Sequence, residues 1–289
     1  MTQKNTIMIK TVLGKSRKYL LPIGLFVLFE TIAVSLGLTV HPFYLFNFTY
    51  IGIFVALGFG LSIARYKYAR LVAQFGVGLY MLVYLGIINR ENMQIEGFFY
   101  YISIGTLYAA ALHYLIAKIV GPLIFGRGWC GYACWTAMIL DFLPFKVPQK
   151  PSNEKLKFLR YGIFAISFLC FWIISIYQKE TLENVLFISF IIGNVIYYTV
   201  GIVLAFIFKD NRAFCKYFCP ITVFLKPASY FALLRIKVKP EKCISCNKCR
   251  KFCPMNVDML DNKRSRKNGT ECILCGNCKS ECPKNALTY

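Results

Sequence analysis

Eight cysteines near the C-terminal end form one phrase written twice. CISCNKCRKFCP supplies Cys243, Cys246, Cys249, Cys253 and Pro254, and CILCGNCKSECP supplies Cys272, Cys275, Cys278, Cys282 and Pro283, every position recurring 29 residues later. Each copy reads C-x2-C-x2-C-x3-C-P. An iron-sulfur cube needs four thiolates pointing inward; three fit on one tight loop and the fourth must arrive from elsewhere. The proline after the last cysteine turns the chain away from the cube. Two zinc knuckles would be spaced differently, and a disulfide framework does not suit an apolar intracellular chain.

A second cysteine pattern lies upstream. RGWCGYACWT carries Cys130 and Cys134, and RAFCKYFCPIT carries Cys215 and Cys219, with the cysteines 85 residues apart in both cases. Arg127 matches Arg212, Trp129 matches Phe214 and Tyr132 matches Tyr217. The apolar run IVGPLIF ending at Phe125 is echoed by IVLAFIF ending at Phe208, so the two halves read as a pseudo-symmetric repeat. On a helix, cysteines four apart share one face, and two facing pairs would present four thiols to a common point. A third 4Fe-4S cluster is the leading reading of that quartet. Four structural cysteines, or zinc or copper at the same thiolates, are the alternatives. Cys170, in FLCFW, reads as packing.

These motifs need elements to hold them. Of the 289 residues 57% are hydrophobic, and mean hydropathy is +0.53, well above the level of soluble domains. A window of about 20 residues, the helix length that crosses roughly 30 Å of hydrocarbon, predicts six spans: 19–40, 43–64, 71–89, 98–123, 161–178 and 186–208. The spans predict an α-helical membrane protein of six transmembrane helices, and the doubled cysteine run, which resembles that of the bacterial ferredoxins, implies a C-terminal α+β two-cluster ferredoxin domain. The chain's parts are a cytoplasmic N-terminal segment 1–18, the helical domain 19–234 with both C-x3-C motifs at its cytoplasmic face, and the ferredoxin domain 235–289. RIKVK (235–239) alternates and predicts an opening strand, with ALTY closing it. No convincing broken helix is read near mid-membrane.

Charge sets the orientation. Basic residues collect on the cytoplasmic side of short loops, and with both termini inside, 31 of the 34 Lys and Arg are cytoplasmic, leaving Arg90 and Lys179 outside and Lys118 within a span. The expected location is the cytoplasmic (inner) membrane, multi-pass, with the tail in the compartment where clustered thiols stay reduced. The long first apolar run contains Glu30 and lacks a small-residue cleavage site, so it reads as a retained span. The net charge of +21 is mostly this topological signal, and nucleic acid is not an expected partner. Basic residues around the tail (Lys248, Arg250, Lys251, Lys263, Arg264, Arg266, Lys267) suit an acidic carrier protein, lipid head groups or plain solvation.

The doubled tail resembles the two-cluster bacterial ferredoxins, in which the fourth cysteine of each run serves the other cluster. That resemblance implies a first cluster on Cys243, Cys246, Cys249 and Cys282, and a second on Cys272, Cys275, Cys278 and Cys253. Taken with the two C-x3-C motifs, residues 70 to 289 resemble the NapH/NosR-type membrane polyferredoxins. Pro220 fits that family's C-x3-C-P pattern; Trp135 departs from it. The resemblance implies a short, NapH-like protein passing electrons between the quinone pool or cytoplasmic donors and a partner reductase.

The expected function is a membrane-anchored iron-sulfur electron carrier working along the cytoplasmic face. It would link a ferredoxin-like donor, a flavoprotein or a quinone to a membrane or extracytoplasmic redox subunit. The alternative is an accessory factor that reduces metal or supplies electrons for maturing another redox enzyme. No ligand for a redox group is recognisable in the outer half of the spans, so a quinone, a flavin or a partner subunit must complete any path across the membrane. Ionisable groups inside spans are functional candidates: His113 and Glu30 are the candidate quinone or proton-handling residues, against the plainer role of interhelical hydrogen bonds. His41 is the only other histidine, and its depth differs from that of His113, which speaks against a bis-histidine haem.

Overall fold

In hydrocarbon every backbone polar group must be satisfied within its own segment, so long apolar runs become helices. The computed structural model describes residues 19–64, 66–106, 109–177, 182–263 and 269–289. The expected segment 1–18 and the charge positions Arg65, Lys179, Arg264, Arg266 and Lys267 lie outside the described residues. The chain divides into two compact units, Met1–Gly78 and Leu79–Tyr289.

In the first unit, α1 (Leu20–Thr39) and α2 (Phe43–Ile63) form a tight hairpin. Pro42 stands just ahead of α2, where its missing N–H leaves no helical bond unmade, and the Phe43 amide donates to His41 Nδ1 at 3.2 Å. The helices close on each other at Gly52, where a Cβ would stand 2.7 Å from Phe29 Cβ. There the Thr49 hydroxyl donates to Glu30 Oε2 at 3.0 Å. Helix α3 (Ala69–Leu79) follows.

The second unit opens with π-helical turns at Tyr80–Ile88. Next come α4 (Ile95–Ser103), α5 (Ala109–Tyr114), π-helical turns at Leu115–Val120 and α6 (Gly121–Phe125). The expected single span 98–123 is thus two helices about a bend near the left-handed Gly105 (φ 70°), and the Ala110 amide after the bend is held by the Glu91 carboxylate at 3.0 Å. Then come α7 (Gly128–Tyr132), α8 (Trp135–Leu140), α9 (Leu159–Tyr177), α10 (Leu182–Phe208), α11 (Ala213–Tyr217) and α12 (Thr222–Tyr230). Among the described residues five helices are long and apolar enough to cross a membrane: Leu20–Thr39, Phe43–Ile63, Ala69–Ile88, Leu156–Ile173 and Leu182–Phe208; Ala110–Phe125 is a shorter apolar helix. Helices α9 and α10 expose Ile166, Trp172, Ile176, Ile188 and Ile207. Cys170, expected to pack, is exposed on α9 instead.

The tail belongs to the second unit. Strand β1 (Lys237–Val238) pairs antiparallel with β2 (Leu287–Thr288), Lys237 opposite Thr288 and Val238 opposite Leu287. The pair is shorter than the sequence pattern predicts and is extended by Asn262, whose side-chain amide donates to the Val238 carbonyl at 2.9 Å and whose oxygen accepts the Val238 amide at 2.8 Å. Helices α13 (Lys248–Lys251) and α14 (Asn277–Ser280) complete it.

Candidate metal centres

The 29-residue repeat governs backbone shape as well as cysteine spacing. Single 3₁₀ turns at Pro240–Lys242 and Gly269–Glu271 precede the loops, and α13 and α14 follow at the same offset. Left-handed residues recur in step: Ser245 with Leu274, Asn247 with Gly276, and Asn256 with Asn285. Paired left-handed positions curl a short segment tightly, which a loop carrying three ligands to one cube requires. The fourth cysteine of each run accepts a backbone amide at 3.3 Å, Val257 N–H to Cys253 Sγ and Ala286 N–H to Cys282 Sγ. Hydrogen bonds of this kind stabilise a thiolate.

The loops also exchange their last cysteine. Cys243, Cys246, Cys249 and Cys282 line one cavity. Cys253 instead lies within electrostatic reach of Cys272 and Cys275, and Cys278 within reach of Cys253. Burial first, then these neighbouring thiols, push Cys253 up to about 12. Binding a metal at this quartet must therefore displace protons. Both sets have the donor chemistry of a 4Fe-4S site: four thiols, three from one loop and one from the other.

The upstream motifs depart from the expected geometry in one respect. Cysteines four apart were expected on one helical face, yet α7 ends at Tyr132, and Cys134 has extended backbone (φ −75°, ψ 119°) as the cap of α8. Cys215 lies on α11, and Cys219 lies beyond its end. The four thiols are neighbours all the same: Cys130, Cys134 and Cys215 lie within electrostatic reach of Cys219. Burial pushes Cys215 up to about 11 and Cys219 up to about 12, with the other thiols reinforcing the shift and Arg212 and Arg127 opposing it. Among the described residues no three His, Cys, Asp or Glu side chains meet as the ligands of a single metal ion.

A reciprocal clasp builds this quartet. Arg127 donates to the Cys215 carbonyl at 3.3 Å, and Arg212 donates to the Cys130 carbonyl at 3.1 Å, so each motif's arginine holds the first cysteine of the other. Both helices feeding the motifs stop alike, with a left-handed residue, Gly126 (φ 56°) or Lys209 (φ 51°), straight after Phe125 or Phe208. The second copy has two more residues here, and Asp210 uses them to accept the Arg212 amide at 2.9 Å. Each arginine is fully buried with a carboxylate. Arg212 makes a two-pronged pair with Asp141 at 2.8 and 2.6 Å, and Arg127 pairs with Glu271. Burial would raise the Glu271 carboxyl, but Arg127 and Arg160 outweigh it and hold it below the usual range.

Glu271 directly precedes the second tail loop, so the clasp extends into the tail. Arg160 reaches the same carboxylate at 2.9 Å. Tyr132 donates to the Leu274 carbonyl at 3.2 Å, and a Cβ on Gly131 would collide with the Ile273 carbonyl oxygen. Lys216, buried beside Cys215, pairs with Asp210 at 2.6 Å and with Asn256 of the tail. The second tail quartet is therefore seated on the helices that carry the upstream quartet.

Of the two polar candidates, His113 is buried beside this region, its ring 5.2 Å from that of Trp129, with Nε2 lacking a partner among the described residues. Lys118 lies 5.8 Å from the same Trp129 ring and within electrostatic reach of Cys134. Glu30 belongs to the first unit and makes the hydrogen bond to Thr49 described above. The sequence reading missed Glu271, Asp141 and the half-buried Glu96, which interacts with Ser167 and carries a buried Oε2 without a partner among the described residues. An acidic residue at the edge of an apolar run was the available signal for Glu96; nothing local marks the other two.

Known proteins resemble this chain in the same two regions. A family of 4Fe-4S dicluster domains matches residues 235–283, and a family of 4Fe-4S binding domains matches 110–151 and 195–240, the two halves around the upstream motifs. Two uncharacterized proteins of Methanocaldococcus jannaschii are similar. MJ0750 is 31% identical over 199 residues, covering 64% of this chain and 79% of its own length. MJ0749 is 26% identical over 186 residues, covering 61% and 70%. The putative electron transport protein YccM of Escherichia coli is 22% identical over 227 residues, covering 71% of this chain and 62% of its own length. No solved structure matches.

Proposed function

The chain belongs to the same family as the archaeal protein MJ0750, and on that premise we propose that it is a membrane-anchored iron-sulfur electron carrier. It serves single electrons along the cytoplasmic face, between a ferredoxin-like donor or a quinone and a partner redox subunit. The observation that carries this reading is the seat of the second tail quartet on the upstream quartet, through Arg127–Glu271 and Tyr132–Leu274. The similarity to YccM of Escherichia coli, a putative electron transport protein, supports it.

In this reading Cys243, Cys246, Cys249 and Cys282 hold one 4Fe-4S cluster, and Cys272, Cys275, Cys278 and Cys253 hold another. Cys130, Cys134, Cys215 and Cys219 hold a third. When bound, such clusters supply one-electron acceptance and release at potentials set by charge, hydrogen bonding and exposure. The protein's own residues do the positioning. Arg127 and Arg212 fix the two halves of the upstream site against each other, and each is offset by a carboxylate. Lys118 has no carboxylate within ion-pairing distance among the described residues and supplies the positive charge that a thiolate-rich site lacks. His113, buried beside Trp129 with Nε2 lacking a partner among the described residues, is assigned to the quinone end of the path. Glu30 serves α1 and α2 through Thr49.

In this reading the five long helices and the shorter apolar helix Ala110–Phe125 are six crossings, and an even number puts both termini on one side, which the basic residues favour as the cytoplasmic one. The segment 109–125 is about 25 Å long at 1.5 Å per residue, close to the thickness it must cross. Replacing Cys246 and Cys275 together by serine is expected to remove the low-temperature EPR signals of the tail and to stop electron flow through the purified protein. Continued flow in that variant would refute the proposed route.

A further inference from the structure

The cavity lined by the four thiols of the first tail site reaches the surface at Cys246, among three lysines. Lys242, Lys248 and Lys284 line the cavity that Cys243, Cys246, Cys249 and Cys282 share. All three lysines are exposed, and so is Cys246. Ile244 is 58% exposed beside them. Lys239 and Lys251 add two more exposed cations on the flanking strand end and helix. The acidic groups nearby are fewer: Glu241 and Glu281 are exposed, Asp261 beside the cavity-lining Leu260 is half-buried, and Asp258 is partly offset by Arg250 at 3.7 Å. An apolar centre inside a charged rim is the anatomy of a transient protein interface.

We infer that this face, centred on Cys246 and Ile244, is the docking surface for an acidic one-electron carrier protein of the ferredoxin or flavodoxin class. The inference rests on the tail quartets holding clusters, as proposed above. A net positive rim speeds encounter with a negative partner and orients it before contact, and the exposed Cys246 edge lets the partner's redox group come close. One electron passes per encounter, so the carrier is oxidised by one electron as the tail is reduced by one. The second loop offers no equivalent port, because Ile273, the counterpart of Ile244, is 2% exposed beneath α7. An anionic lipid surface would also answer to the lysines, but it has no use for an exposed thiol edge at their centre.

The test uses the full-length protein in discs of zwitterionic lipid and a strongly acidic flavodoxin as probe. Calorimetric affinity and the rate of flavodoxin hydroquinone oxidation are measured at low and high salt. Lys242→Glu with Lys248→Glu is expected to weaken binding about tenfold at low salt and to converge with wild type at high salt. Lys284→Glu alone moves both readouts the same way by less, and Lys146→Glu, on the exposed loop after α8, leaves them unchanged. Iron content and direct reduction by dithionite stay at wild-type level throughout. Binding that ignores both salt and charge reversal overturns the inference. So does a variant that loses binding to phosphatidylglycerol vesicles while keeping that to flavodoxin. Iron-free wild-type protein would instead overturn the cluster assignment beneath it, and the iron assay registers that separately.

Discussion

The two tail loops share one backbone and differ in what surrounds it. Ile244 is 58% exposed and its counterpart Ile273 is 2% exposed. Lys242, ahead of the first loop, faces solvent, while Glu271 at the same place in the second is buried under Arg127 and Arg160. The cysteine spacing dictates the curl of each loop, and the neighbours set its surroundings: one loop faces solvent, and the other is held against the upstream motifs.

The largest test of that contrast is at Glu271. Glu271→Gln strands two buried guanidinium groups and is expected to cost about 3–5 kcal/mol, whereas Lys242→Gln at the matching surface position should change stability by no more than about 0.5 kcal/mol. Thermal unfolding of the detergent-solubilised protein measures both, and equal effects would erase the distinction. Gly131→Ala comes next. Its new methyl group meets the Ile273 carbonyl, so a loss of about 1–3 kcal/mol is expected, together with a change in the EPR line shape of the second tail site but not of the first.

Metal removal sharpens the same contrast. Iron retained by the Cys275→Ser protein, which keeps the open site, should be stripped by chelator under mild oxidation before iron retained by the Cys246→Ser protein, which keeps the covered one. The reverse order would mean that burial does not protect the second loop. The smallest effect is at Tyr132→Phe, which removes the hydrogen bond to the Leu274 carbonyl for about 1 kcal/mol. Tyr217, its counterpart 85 residues on, accepts the Asn153 amide instead, so Tyr217→Phe should leave the second tail site spectroscopically unchanged.

How much of this was legible beforehand follows from the physics of each feature. The spacing of Cys243 to Cys282 announced two looped quartets because a cube dictates ligand positions along the chain. The long apolar helices were equally plain from composition. The bend in 98–123 was not, because Gly105 lies inside a run whose average hydropathy conceals it, and the Glu91 carboxylate that holds the Ala110 amide stands outside that run. Treating Cys130 and Cys134 as one helical face also failed, since α7 stops between them; the four thiols paired by the 85-residue repeat nevertheless lie near one another. Glu271 could not be read as the partner of Arg127, because 144 residues separate them and only the fold brings them together.

The most direct test of the whole account is the iron and acid-labile sulfide content of protein purified without oxygen. Three thiol quartets predict about twelve of each per chain, falling to about eight when Cys130 and Cys215 are both replaced by serine. About eight in the wild type would contradict the upstream site, and an iron-free protein would contradict the account as a whole.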